Sequence, residues 1–256
     1  MNDHSNLATT RGRVATIEIT RGPNNYMDVS LLGEIVAALR SLEEEGECRA
    51  VVLCSEGKHF CAGVNFNDSA PRPGAGERAP HLYDMAQLLF EQPLPIIAAV
   101  QGAAIGGGLG LAMAADFRVG SLESRFSANF VQLGFHHGFA LTVTLPRVIG
   151  QQAALRMLYT GARVSGDEAA RIGLIDTLVP ATDLRSAAYG LAEVIASSAP
   201  LAVRSVRTTM RRGIVGEVRD ALLHEKTEQA RLARTEDWKE GLQAAAERRP
   251  PSFVGR

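Results

Sequence analysis

The segment 100–116, VQGAAIGGGLGLAMAAD, sets three consecutive glycines, Gly106, Gly107 and Gly108, between an apolar run and a small-residue stretch of helical character. Without a Cβ the backbone can turn sharply and come close to a ligand. A helix that starts near Gly108 aims its unpaired N–H groups, and the positive end of its dipole, at whatever lies in the turn. That suits an anion, or a carbonyl oxygen that becomes one during reaction. A tight turn with close helix packing uses the same triplet, so the glycines alone leave both roles open. A second small-residue loop, 59–66 with the sequence HFCAGVNF, also follows an apolar run, and the two loops can aim backbone N–H groups into one cleft. In the segment 133–139, LGFHHGF, His136 and His137 stand side by side. Imidazole titrates near pH 6.5 and takes or gives a proton at neutral pH. Neighbouring side chains on an extended or turn segment diverge, so one of the two is expected in the cleft and the other in capping or packing.

These loops need elements to hold them. Residues 13–19 alternate apolar and polar and read as a strand, with the turn Gly22-Pro23-Asn24-Asn25 behind them. Helical spacing of Leu31, Leu32, Ile35, Val36, Leu39 and Leu42 predicts a helix over 29–44, capped by Asp28 or Ser30. Residues 50–54 and 94–100 are short, continuously apolar strands suited to a parallel sheet, and 118–120 adds a third. The stretch 68–78, with two prolines and two glycines, reads as a loop, and 81–90 as a helix. Such alternation predicts α/β architecture. From residue 151 the character changes, with helices expected over 151–158, 165–171, 183–198, 201–212 and 219–246. The expected organisation is an α/β core over 1–180 and a helical region over 181–256. Helices without a sheet to cover need another apolar surface, which a neighbouring subunit can supply.

Composition narrows the partners. The 256 residues carry a net charge of −1, with 46% hydrophobic and 21% charged residues, as in ordinary globular enzymes. That balance predicts neither nucleic acid nor an anionic membrane as partner. Three cysteines without metal-ligand spacing, Cys48, Cys54 and Cys61, point to a reduced, cytoplasmic setting, and no metal site is expected. The polar N-terminus has no apolar signal core, and no run of 18 apolar residues occurs. The glycines miss the G-x-G-x-x-G spacing of dinucleotide folds, Gly57-Lys58 runs into His59 rather than Ser or Thr, and H-E-x-x-H is absent.

Taken together, VATIEITRGPNN, RAVVLCSEGKHFCAGVNF, PLPIIAAVQGAAIGGGLGLAMAADFRV, LPRVIGQQAALRMLYTGARVSGDEAARIGLIDTLVP and the tail EDWKEGLQAAAERRPPSFVGR occur in an order that resembles the crotonase (enoyl-CoA hydratase/isomerase) superfamily over nearly the whole chain. The resemblance implies an α/β fold: a crotonase-like spiral of ββα units with a C-terminal helical trimerisation region, in a homotrimer or dimer of trimers. It implies an acyl-CoA or acyl-carrier thioester as substrate, with no cofactor beyond the coenzyme A that the substrate carries. Two backbone N–H groups that hold the thioester oxygen map onto Val64 and Gly107. Donors aimed at developing charge are worth roughly 3–4 kcal/mol each in the best-studied cases. Ala62, Gly63, Asn65, Gly106, Gly110, Phe130, Tyr83, Asn25 and Tyr26 are expected around the substrate. Lys58, Arg248, Arg249 and Phe253 are candidates for the phosphates and adenine of coenzyme A.

The chain departs from the family pattern at the acid and base. The two hydratase glutamates map onto Gly110 and Phe130, and the nucleophilic aspartate of the aryl-CoA dehalogenase branch maps onto Gly138. Losing a positioned proton-transfer group typically costs 10²–10⁴-fold. Proton transfer is therefore expected from His137, or else His136. Tyr83, Asp84 and Glu77 are further candidates; Asp68 either orients the ligand or shapes the loop, Cys61 is read as packing and His59 as outside the reacting centre. Hydrolysis, decarboxylation or cleavage of a 1,3-dicarbonyl, which need only a stabilised enolate and one base or water, are the alternative reactions. A non-catalytic acyl-CoA-binding protein is the alternative from another class.

Overall fold

The computed structural model describes residues 6–65 and 81–256. A six-stranded sheet runs in the order β1-β2-β3-β4-β6-β9, formed by β1 (Leu7–Thr10), β2 (Val14–Ile19), β3 (Ala50–Ser55), β4 (Ile96–Val100), β6 (Phe117–Gly120) and β9 (Thr177–Leu178). β1 pairs antiparallel with β2, and every other neighbour pair is parallel. β3 and β4 are buried at every residue, as their unbroken apolar runs demand of central parallel strands. A second sheet of three strands, in the order β5-β7-β8, consists of β5 (Ala103–Ile105), β7 (Arg125–Ser127) and β8 (Val164–Ser165). β4 and β5 are separated only by Gln101 and Gly102, so the chain passes from one sheet straight into the other.

α1 (Val29–Glu45) buries the six residues its spacing predicts, and its cap is Asp28, whose carboxylate accepts the Leu31 N–H at 2.8 Å. α2 (Leu82–Phe90) is held by a capping box: His81 Nδ1 accepts from Tyr83 N–H, and Asp84 accepts from His81 N–H. Both helices pack into one large apolar core together with α3 (Gly107–Ala114) and α4 (Leu141–Thr160).

The other face of the six-stranded sheet is covered from the C-terminal part of the chain. In α6 (Leu184–Ser197), Leu184, Ala188, Ala192 and Ala196 pack on Val14, Ala50, Val52, Ile97, Ala99 and Val119. Small residues at every fourth position let the helix lie close on the strands. α7 (Pro200–Met210) has no buried residue. Asp116, at the start of β6, holds it by ion pairs to Arg207 and Arg211.

Two helices differ from the sequence expectation. The helix expected over 151–158 is the second half of α4, which begins ten residues earlier and kinks at Gly150, where φ is +76°. The helix expected over 219–246 is two helices, α8 (Ile214–Leu232) and α9 (Glu236–Glu247), because Thr235 caps a new start by accepting the Trp238 N–H. The short strands β1, β5, β7, β8 and β9 have too few residues to declare an alternation. Between β7 and β8, α4 is preceded by a 3₁₀ helix, Asn129–Leu133, and α5 (Gly166–Arg171) follows β8.

Candidate active site

The two glycine-bearing loops meet at the C-terminal ends of buried strands. Cys61 bridges Ala104: its N–H donates to Ala103 O at 3.0 Å, and its carbonyl accepts from Ile105 N–H at 3.1 Å. Gly63 has φ +89°, and a Cβ there would lie 2.8 Å from Ile105 O and 3.8 Å from Gly107 N. The reversal at Gly63 therefore turns Val64 towards the start of α3. Gly106 stands at φ +55°, ψ −117°, a conformation reserved for glycine, and anchors the turn by donating to Ser127 O at 2.8 Å. A Cβ on Gly108 would sit 2.0 Å from Cys61 O, so only glycine lets the helix approach the neighbouring loop. Gly107 is the first residue of α3, where N–H groups have no partner within the helix.

Around this junction lies a cavity of about 350 Å³, lined by Tyr26, Ala62–Asn65, Ile105–Gly107, Asn129, Phe130, Leu133 and Phe135, and by Leu242, Ala245 and Ala246 of α9. α9 comes this close because Gly241 packs on the backbone of Leu133, at 2.4 Å from a Cβ position. Of the residues expected from sequence, Tyr26, Ala62, Gly63, Val64, Asn65, Gly106, Gly107 and Phe130 are together on its wall. Ile105, Asn129, Leu133, Phe135, Leu242, Ala245 and Ala246 are additions. The i, i+3, i+4 spacing of the last three marks one helix face, but no sequence signal says which partner that face meets.

Other expected residues lie elsewhere. Asn25 is buried and shapes the loop: its Nδ2 donates to Glu56 O and His59 O, and its Oδ1 accepts from Arg21 N–H. Gly110 packs against Phe139, whose ring would lie 2.4 Å from a Cβ there, so an aromatic ring fills the space that a side chain at this position would need. Tyr83 is buried and donates to Gln229 Oε1 at 2.8 Å, while Gln229 in turn donates to the carbonyls of His136 and His137. Gly138 fits directly beneath the Tyr83 hydroxyl. Asp68 and Glu77 lie outside the described residues.

His137 is buried behind Phe130, with ring centroids 5.4 Å apart and its Nε2–H donated to Leu158 O at 2.7 Å. Its Nδ1 has no partner among the described residues, and burial pushes the imidazole down to about 4, so it is neutral at physiological pH. His136 turns the other way, its Nδ1–H on the His137 carbonyl and its ring 5.6 Å from that of His224. Neither imidazole is on the cavity wall, whereas Phe130, expected beside the substrate, is on it. Cys61 is fully buried, and its thiol is pushed up to about 12, which suits packing rather than nucleophilic attack. Among the described residues the lining presents no carboxylate and no imidazole, but backbone donors, the amides of Asn65 and Asn129, and the Tyr26 phenol.

Lys58 lines a second hollow with His59, Gln101, Gly102, Glu123, Arg125 and Arg163, and Ile105 borders both hollows. Arg249 is taken up by carboxylates, bidentate to Glu240 at 2.6 and 2.9 Å and also bound to Glu247. Arg248 caps the end of α9 and Phe253 is exposed on the tail, so within one chain these three are not gathered around Lys58. Among the described residues, no group of three or more His, Cys, Asp and Glu side chains is placed to hold a metal ion, and no single helix is long and apolar enough to cross a membrane.

Residues 9–256 match the family model described as enoyl-CoA hydratase/isomerase. The chain is 35% identical over 234 residues to the (E)-benzylidenesuccinyl-CoA hydratase of Thauera aromatica, covering 90% of this chain and 91% of that one. It is 32% identical to the short-chain-enoyl-CoA hydratase of Clostridium acetobutylicum, covering 93% of both. Among solved structures, an enoyl-CoA hydratase/isomerase from Pseudoalteromonas atlantica superposes with a TM-score of 0.89 at 27% identity, over 98% of this chain and all of that one. Carnitinyl-CoA hydratase from Mycobacterium avium superposes at 0.87 with 30% identity, over 98% and 99% of the two chains.

Proposed function

The chain belongs to the enoyl-CoA hydratase/isomerase family, and from that premise we propose that its cavity receives an acyl-CoA thioester with the carbonyl oxygen between the N–H groups of Val64 and Gly107. The observation that carries this reading is the junction itself. Gly63, Gly106 and Gly108 each hold a conformation or a contact that a side chain would spoil, and together they bring two backbone segments to one point. Two preorganised donors stabilise the negative charge that moves onto the thioester oxygen when an enolate forms at the adjacent carbon. The hollow beyond Ile105, with Lys58, Arg125 and Arg163, offers cations for the phosphates of coenzyme A. Coenzyme A enters as part of the substrate and no separate cofactor is used. A carrier-protein thioester presents the same reacting group.

Proton transfer is the part of this reading that departs from sequence reasoning. A neutral, buried His137 donating its only N–H to a carbonyl is a poor acid or base, and His136 faces α8. We assign the proton exchange to water admitted beside the amides of Asn65 and Asn129. A second reading follows from the same wall: without a carboxylate or imidazole among its described residues, the site suits reactions that create the enolate by breaking a carbon–carbon bond. In a malonyl-type thioester the electrons of the bond to the carboxylate pass into the enolate, carbon dioxide leaves, and water protonates the α-carbon.

Incubating the protein with a panel of 2-enoyl, 3-enoyl, 3-hydroxy, 3-oxo, malonyl and aryl thioesters in ¹⁸O-water, with mass spectrometry of the products, tests both readings. Label in a product identifies hydration or hydrolysis; an unlabelled isomer identifies double-bond migration; loss of carbon dioxide supports the second reading. Silence across the panel with no thioester bound overturns the assignment. We also propose assembly as a homotrimer or dimer of trimers, for which α7, without a buried residue of its own, is the apolar surface in need of a partner.

A further inference from the structure

We infer that the acyl end of the cavity is built for a flat, aromatic acyl group laid against Phe130 and Phe135. This rests on the reading of the cavity as a thioester site, and it names the substrate class of that site. Aromatic residues make up only 5% of the chain, yet Tyr26, Phe130 and Phe135 all stand on this one wall. Phe130 is placed where the acyl group must begin: its Cε2 and Cζ lie 3.7 and 3.8 Å from a Cβ position on Gly106, the residue next to the Gly107 donor. A thioester held by that donor therefore directs its acyl carbons past the ring.

The rings are also locked. Phe130 and Phe135 meet edge to face with centroids 5.3 Å apart. Trp238 of α9 backs Phe135 at 4.4 Å, and His137 backs Phe130 at 5.4 Å. Each pair has the T-shaped geometry that the quadrupoles of aromatic rings favour. A wall whose rotamers are already fixed loses little entropy when a ligand ring packs on it. Most of the remaining side chains on the wall are aliphatic or small, among them Leu133, Leu242, Ala245 and Ala246, and Asn65 and Asn129 add two amides. The cavity of about 350 Å³ exceeds the roughly 150 Å³ that accommodates benzene in an engineered apolar cavity, leaving space for the thioester. The aromatic cluster also gives the buried, neutral His137 a part to play, as the backing of Phe130.

The test compares acyl groups of one size with and without a π-face. Benzoyl-CoA and cyclohexanecarbonyl-CoA are titrated calorimetrically into the full-length protein, with hexanoyl-CoA and free coenzyme A alongside. None of these ligands has a 2,3-double bond to hydrate. Ring–ring packing beyond simple burial predicts benzoyl-CoA binding about three- to tenfold tighter than cyclohexanecarbonyl-CoA. In Phe130→Leu that ratio falls to near one. Because the preference is read first in the unaltered protein, a variant that folds poorly does not rescue the proposal. Equal or tighter binding of cyclohexanecarbonyl-CoA or hexanoyl-CoA overturns the aromatic assignment and leaves the thioester reading standing. A preference that survives Phe130→Leu and Phe135→Leu overturns it too. Binding of free coenzyme A alone, or of nothing, removes both.

Discussion

Phe130 and Glu225 each put an unexpected chemistry in a critical place. Phe130 puts an aromatic ring beside the glycine turn at Gly106, while Glu225 of α8 brings a carboxyl group into the core, where it accepts from Ala140 N–H and the Thr142 hydroxyl, both at 2.8 Å. That carboxyl group holds a turn in which Phe139 and Ala140 both adopt positive φ, a costly conformation for residues with a Cβ. Burial pushes Glu225 up to about 7 and His137 down to about 4. Between pH 4.5 and 7 the folded chain keeps a proton on Glu225 that the unfolded chain has released, so this group's contribution is lost as pH rises. Between pH 6.5 and 4 the unfolded chain protonates His137 and the folded chain does not, so that contribution is lost as pH falls. Glu225→Gln is expected to gain stability relative to the parent as pH rises through the first window. His137→Gln gains relative to the parent as pH falls through the second. Each difference changes by at most about 1.4 kcal/mol per pH unit. Urea midpoints at pH 4.5, 5.5 and 6.5 read both, and parallel profiles would refute the assignment. At the donors, Gly63→Ala meets Ile105 O in a left-handed backbone and swings the Val64 N–H away. Losing one such donor typically costs about 10²–10³ in kcat. A smaller loss with the identified substrate would remove Val64 from the mechanism.

The elements show how much of this is pattern and how much is meeting. α1 and the central strands follow directly from apolar spacing, and their caps and burial agree with it. α3 reads as a helix of small residues, but its purpose comes from the neighbours its glycines admit: Cys61 O at Gly108 and the Phe139 ring at Gly110. Placing a carboxylate there as Gly110→Glu is therefore expected to destabilise the protein by more than about 2 kcal/mol through overpacking. Gly110→Glu combined with Phe139→Ala should recover part of that loss, which equilibrium denaturation of the two variants reads directly. α7 is held to the core by the cluster in which Asp116 accepts from Arg207 Nε, Arg211 and Ile96 N–H. Removing the acid leaves two poorly solvated guanidinium groups unpaired, so Asp116→Ala is expected to cost about 3 kcal/mol. A cost under 1 kcal/mol would show that α7 is anchored otherwise.

At the scale of the molecule, the chain covers both faces of its main sheet but leaves one helical surface bare. α6 supplies the second core layer, whereas Leu201, Val206 and Met210 of α7 stand 80%, 62% and 79% exposed. The proposed assembly gives these three exposed apolar side chains a surface to pack against. The proposed trimer predicts that Leu201→Glu with Met210→Glu shifts the sedimentation of the 27.4 kDa chain towards the monomer. A parent protein that sediments as a monomer at micromolar concentration would refute the assembly. What was legible in the sequence is what depends on local spacing: the buried strands, the amphipathic helices, the glycine turns, and through their order the family. The histidine pair was legible as chemistry but not as position, because a side chain's direction in an irregular segment depends on what packs around it. Leu158 O draws in the His137 N–H, and Gln229 takes the carbonyls of both histidines. Only the tertiary structure brings Phe135, Asn129 and the face of α9 onto the same wall, since those contacts join residues about a hundred positions apart, and no local pattern encodes such a meeting.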